Sequence, residues 1–148
     1  MKLFKKNPLF GVFVIPIIFD VVGTVLGQPS AYWTSHYKII EEAVPVYPLL
    51  QINPLLFIVI AFVVWLPITY FLTLKLRKPL NIWATMALFA GHSYNSVNWL
   101  RVIQHNLGIF AGKNQLDYAL ALIPMAIYIL VIGFIASKSL LIYFSKSK

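Results

Sequence analysis

The sequence predicts an all-α membrane protein, a polytopic four-transmembrane-helix bundle with both termini in the cytoplasm. Three observations predict it. Of 148 residues, 60% are hydrophobic and only 11% are charged, which is more apolar surface than a soluble domain of this size can hide. Apolar runs long enough to cross a ~30 Å hydrocarbon layer recur along the chain. The charges between those runs are lopsided. Lys2, Lys5, Lys6, Lys75, Arg77, Lys78, Lys138, Lys146 and Lys148 fall on one side with no acidic residue, while Lys38, Arg101 and Lys113 share the other with Glu41, Glu42 and Asp117. An excess of Lys and Arg marks cytoplasmic loops. The net charge of +8 therefore does not point to nucleic acid, because the cations separate apolar runs and do not line one soluble face. The absence of cysteine excludes disulfides, thiolate metal sites and a Cys nucleophile.

One domain, residues 1–148, is expected, with spans at about 8–27, 54–76, 80–100 and 118–137. Met1 to Lys6 followed by an apolar run resembles a signal-peptide start. The run is too long and has no small-residue cleavage site, so an uncleaved anchor is expected. Asn7-Pro8 opens the first span, since Asn favours the N-cap and Pro the first helical position. Pro16 removes a backbone hydrogen bond and should bend this helix. Gly23 and Gly27 leave room for a close helix neighbour. In the connection from Gln28 to Asn53, Trp33, Tyr37, Ile40 and Val44 recur at helical spacing. They predict a short helix lying on the membrane surface, or a lid on the bundle end. Asn53-Pro54 repeats the N-cap signal for the second span, which Pro67 should bend. Lys75 to Pro79 closes it. The third span ends near Leu100, and Pro124 interrupts the fourth.

The third span carries a costly polar stretch, Gly91-His92-Ser93-Tyr94-Asn95-Ser96-Val97-Asn98-Trp99. Asp20 in the first span is costly too, since a charge at mid-membrane is disfavoured by about 2.5–3.5 kcal/mol on insertion scales. Asp20 lies twelve residues past Pro8 and His92 thirteen past Pro79. At ~1.5 Å per residue both sit ~18 Å deep on spans that run in the same direction. Asp20 is therefore expected to pair with His92 or Asn95, or to stay protonated. Asp20, Gly23, Thr24 and Gly27 share one face of span one. Thr85, His92, Asn95, Ser96 and Trp99 share one face of span three. Ala84, Ala87, Gly91, Asn95 and Asn98 form a smaller-residue stripe where a helix could approach. Trp65 and Tyr128 reach a similar level from spans two and four. The candidate ligand-binding residues are thus Asp20, Thr24, Trp65, His92, Asn95, Ser96, Trp99 and Tyr128. The plainer alternative is that these groups only hydrogen-bond helices together, at ~0.6 kcal/mol per contact. No HExxH, P-loop or GxSxG pattern is present. Ser93 or Ser96 beside His92 lacks the third orienting group of a triad. No catalytic residue is assigned, and no metal or cofactor is expected.

Several stretches resemble the EXPERA family of membrane proteins, which includes sterol isomerases of the emopamil-binding type and sigma-2-type receptors. They are Ile15-Pro16-Ile17 followed by Asp20, Pro48-Leu49-Leu50-Gln51 followed by Pro54 and Phe57, and Leu66-Pro67 with Ile68-Thr69-Tyr70. His92-Ser93-Tyr94-Asn95-Ser96 and Pro124 complete the order. The family's acidic residue on span two has only Ala61 or Val64 near its place, and Tyr47 stands where an acid precedes the PLLQ stretch. The resemblance implies a four-span fold and a pocket in which an acid, here Asp20 with His92, holds a cationic amine or a sterol-like lipid.

Four readings stay open. The chain binds a sterol-like lipid or amphipathic amine; it is an isomerase-type enzyme on such a lipid, with Asp20 and His92 moving a proton; it is a small proton-coupled exporter; or it is a structural membrane subunit. Asp20-Val21-Val22-Gly23-Thr24-Val25-Leu26 is similar to the acid-bearing first helix of small multidrug transporters. The expected partner is a membrane lipid or amphipathic small molecule and no nucleic acid, with a homodimer as an open arrangement. The expected location is an integral, multi-pass position in the plasma membrane or endoplasmic reticulum.

Overall fold

The computed structural model describes residues 4, 6–40, 46–108 and 115–146, and every element among them is helical. The helices are α1 (Phe10–Leu26), α2 (Ser30–Thr34), α3 (Tyr47–Ile52), α4 (Pro54–Lys75), α5 (Leu80–Asn106) and α6 (Gln115–Ser145). Helix α1 is the centre of the bundle. It packs most extensively on α5, then on α6 and α4. Phe10, Val12, Phe13, Ile17, Val21 and Val25 are all buried there. The Phe10 ring meets Phe13 and Tyr70 edge-on, with centroids 5.6 and 5.2 Å away, a favoured geometry for aromatic pairs.

Two helices, α4 and α6, are long and apolar enough to cross a membrane, and α1 is an apolar helix of 17 residues. Much of their apolar surface is exposed. Val59, Val63, Ile68 and Phe71 on α4, and Leu122, Ile127, Leu130 and Phe134 on α6, all face outward.

Several expectations need correction. Asn7 does not cap α1, whose N-cap is Leu9 without a side-chain bond. The Asn7 amide instead donates to the Tyr70 carbonyl at 2.9 Å and to Thr73 Oγ1 at 3.0 Å, clamping α1 to the end of α4. Asn53 does cap α4, its side chain accepting from the Leu55 N–H at 2.7 Å. Helix α5 continues past Leu100 to Asn106, because the polar residues Arg101 and Gln104 are good helix formers and break nothing. It ends where Gly108 takes φ +67°, the left-handed cap that glycine adopts without cost. Helix α6 begins before residue 118 and runs beyond 137.

The surface helix drawn through Trp33 and Tyr37 stops at Thr34. His36 and Tyr37 turn left-handed, at φ 54° and 69°. This folds the Tyr37 ring back to 5.1 Å from Tyr32. Val44, the last residue of that stripe, lies outside the described residues. The residue that anchors the connection is Tyr32, fully buried, whose hydroxyl donates to the Leu50 carbonyl at 2.8 Å. That carbonyl belongs to the last turn of α3 and has no partner within the helix. Tyr32→Phe should therefore cost about 1–2 kcal/mol, read as a lower thermal midpoint. Burial, and then the neighbouring Tyr37, raise the Tyr32 phenol above the usual 10.0. The unfolded chain loses that proton first, so this contribution declines as pH climbs past the ordinary tyrosine range.

Candidate functional site

Helix α1 reaches α5 closely because Gly23 and Gly27 present no side chain. A Cβ on Gly23 would lie 2.7 Å from Trp99 Cβ, and one on Gly27 would run into the Trp99 ring. One turn further along, the Ser96 hydroxyl lies 2.9 Å from the Pro16 carbonyl and 2.6 Å from the His92 carbonyl. These contacts set the two helices in register, and the register brings Asp20 to His92. His92 Nδ1 stands 2.6 Å from Asp20 Oδ2, and Asn95 Nδ2 reaches the same oxygen at 3.5 Å. Asp20 is buried; His92 is mostly covered, its side chain 18% exposed.

The other ring nitrogen is met from α4. Trp65 Nε1–H donates to His92 Nε2 at 3.3 Å. Pro67 supplies the local reason. It has no N–H, and its ring crowds the preceding turn. The chain answers with a π-helical turn over Ala61–Trp65, in which the Leu66 N–H reaches back to the Ala61 carbonyl. Such a turn inserts a residue's worth of rotation, and here it coincides with the turn of Trp65 toward α5.

This line of three side chains fixes the imidazole tautomer. An indole N–H can only donate, so the Nε2 that accepts from it carries no proton. The neutral imidazole then holds its proton on Nδ1 and donates it to Asp20 Oδ2. With Asp20 ionised, the three side chains together carry one negative charge, and no cation stands beside it among the described residues.

Beside His92 opens a groove of about 380 Å³ between α4 and α5, lined by Leu72, Trp83, Ala84, Ala87, Leu88, Gly91, His92 and Asn95. Its walls are apolar except for the His92 and Asn95 end. Ala84, Ala87, Gly91 and Asn95, on the stripe where a helix could approach, line this groove, and Asn98 faces outward. Nothing lies within 4 Å of where a Gly91 side chain would start. The small residues leave space for something other than a helix of this chain.

No protein-family model, curated protein or solved structure matches the chain.

The geometry thus brings together Asp20, His92, Asn95 and Trp65. Thr24 is buried, but its hydroxyl donates to the Asp20 carbonyl at 2.8 Å and is spent within the helix. Trp99 fills the notch above the two glycines and holds helices. Ser96 joins α5 to α1 at the proline. Tyr128 is buried against Phe19, ring centroids 5.0 Å apart; its hydroxyl, near Ser96 and Asp20, makes no hydrogen bond of ordinary geometry. Among the described residues no cluster of His, Asp and Glu could hold a metal ion. Leu72, Trp83 and Leu88 went unnoticed in the sequence because an apolar residue carries no mark of which neighbour it faces.

Proposed function

We propose that the chain is a four-span membrane protein with cytoplasmic termini, and that the groove at His92 binds an amphipathic ligand, a cationic amine or a sterol-like lipid, from the bilayer. The observation that carries this reading is the His92–Asp20 pair at 2.6 Å, set at the polar end of an otherwise apolar groove. Ligand sites generally combine mostly apolar walls with a few fixed polar groups. A net negative charge in an apolar surrounding favours a cation or a proton. An amine would meet it through the imidazole and Asn95. A lipid hydroxyl would donate to His92 Nε2 in place of the indole.

The membrane setting is supported by burial. The core helix of a soluble protein is mostly covered, whereas only 22% and 17% of the most apolar stretches of α4 and α6 are buried. With α1 and α5 as the other two spans, the one-sided charge pattern orients the bundle. The resemblance to EXPERA proteins supports the same reading, with Asp20 and His92 as the matching acid and histidine. A second reading, acid–base catalysis on a bound lipid, rests on the same pair, since His92 Nε2, once released by Trp65, is a proton acceptor.

The test is equilibrium binding of a radiolabelled amphipathic amine and of a sterol to the purified protein in nanodiscs. Saturable binding of either, reduced at least tenfold in His92→Ala, is the expected result. Absence of saturable binding for both would sink the reading. Reporters fused at both ends should be cytoplasmic, and one inserted near Lys38 should not. Conversion of the bound lipid, lost in His92→Ala, would favour catalysis.

A further inference from the structure

We propose a second lipid contact, beside the His92 groove and meeting it at Leu72: a seat for an anionic phospholipid formed by the outer face of α4 and the basic end of the bundle. The proposal rests on the membrane reading but not on any ligand at His92.

Side-chain contacts gather four helix ends at one place. Asn7 bonds the last turns of α4. Asn81, at the start of α5, donates to the Tyr143 hydroxyl near the end of α6 at 2.8 Å. Lys78 stands 5.1 Å above the same Tyr143 ring. Lys6, Lys75, Arg77, Lys78, Lys138 and Lys146 are all exposed toward this end. The described acidic residues are elsewhere: Asp20 is inside the bundle and Asp117 opens α6 at the opposite end. A charge cluster of one sign raises the local concentration of opposite charge.

The second observation is the surface that leads to it. An open apolar face runs along α4 over Val64, Pro67, Ile68, Phe71 and Leu72, and it ends at Lys75. From Val64 to Lys75 the helix rises ~16 Å, about half of the ~30 Å hydrocarbon core. An open apolar face one leaflet deep, ended by a cation at the aqueous end, complements an acyl chain joined to a phosphate. Lys75 and Arg77 meet the phosphate, and the chain lies against Phe71 and Ile68. No carboxylate among the described residues stands there to hold a choline or ethanolamine group, so an anionic headgroup is preferred to a zwitterionic one.

The experiment places the full chain in phosphatidylcholine nanodiscs and adds lipids brominated on the acyl chain. Quenching of tryptophan fluorescence reports occupancy, since Trp83 borders the neighbouring groove with Leu72. Brominated phosphatidylglycerol should quench at a several-fold lower mole fraction than brominated phosphatidylcholine. Each cation near a lipid surface contributes about fivefold, so Lys75→Gln with Arg77→Gln should erase the preference while circular dichroism stays unchanged. Lys38→Gln, at the other end, should leave it intact. Equal quenching by the two lipids overturns the proposal. So does a preference that survives the double substitution, or one abolished by millimolar inorganic phosphate, which would mean a free-anion site. No quenching by either lipid would overturn the membrane reading itself.

Discussion

Asp20→Asn should weaken binding of an amphipathic amine about 100-fold while leaving the helices packed and a neutral sterol bound within a few-fold. The side-chain amide oxygen of Asn can still accept the His92 Nδ1–H that now lies 2.6 Å from Asp20 Oδ2. The imidazole keeps its tautomer, and Nε2 stays an acceptor toward Trp65 or a lipid hydroxyl. Only the charge is lost. A cation held about 6 Å from the carboxylate gains about 3 kcal/mol at an effective dielectric constant near 20, or ~100-fold in Kd. Asp20→Leu behaves differently, because it strands a mostly covered Nδ1–H and costs about 1–3 kcal/mol of stability. Binding isotherms for one amine and one sterol, with a thermal melt of each variant, separate these outcomes. Unchanged amine affinity in Asp20→Asn would remove the carboxylate from the ligand site. Equal loss of both ligands would mean that the substitution had disturbed the packing.

How much of this was legible in the sequence depended on which residues carried the signal. Asp20 and His92 were found by counting from two proline helix starts, because a helix has a fixed rise and the pair is polar in apolar surroundings. The count succeeded although Asn7 does not cap α1, since a shift of one or two residues moves the depth by only ~3 Å. Trp65 was placed at the right level, but the turn that aims it was not. A π-helical turn is one added residue of rotation, and nothing in Ala61-Phe62-Val63-Val64-Trp65 distinguishes it from an α-helix. The stripe Ala84, Ala87, Gly91 was read as small and as a place where a helix could approach, and no helix of the described residues covers it. Small residues admit either a helix or a ligand, and only the positions of α4 and α1 decide between them. The left-handed pair His36 and Tyr37 was hidden for the opposite reason: the spacing of Trp33 and Tyr37 fitted a helix, and burial of Tyr32 outweighed it.

Gly23→Ala should be among the most damaging single changes in the chain, and it should fail differently from Gly27→Ala. The new methyl at position 23 would lie 2.7 Å from Trp99 Cβ, an atom tied to the α5 backbone that no rotamer change moves away. Helices α1 and α5 must separate, and overpacking of this kind costs about 1–3 kcal/mol. Asp20 is one turn away, so separation also lengthens its bond to His92, and ligand affinity should fall with stability. At position 27 the methyl meets the Trp99 ring and, at 2.9 Å, the Gly23 carbonyl oxygen, but not Trp99 Cβ. Trp99→Ala removes the ring and keeps Cβ. It should therefore rescue the part of the Gly27→Ala defect that the ring causes, leaving the contact with the Gly23 carbonyl, and leave the Gly23→Ala defect in place, a difference in coupling of about 1 kcal/mol by double-mutant cycle. Gly133→Ala is the control. Nothing lies within 4 Å of its Cβ position, and exchanging Gly for Ala inside a helix is favourable by up to ~1 kcal/mol. Thermal unfolding of the six proteins in one detergent or bilayer measures the cycle. Equal rescue of both glycine variants by Trp99→Ala would mean that the two helices meet through the indole alone, and that the backbone approach setting Asp20 beside His92 is not what Gly23 provides.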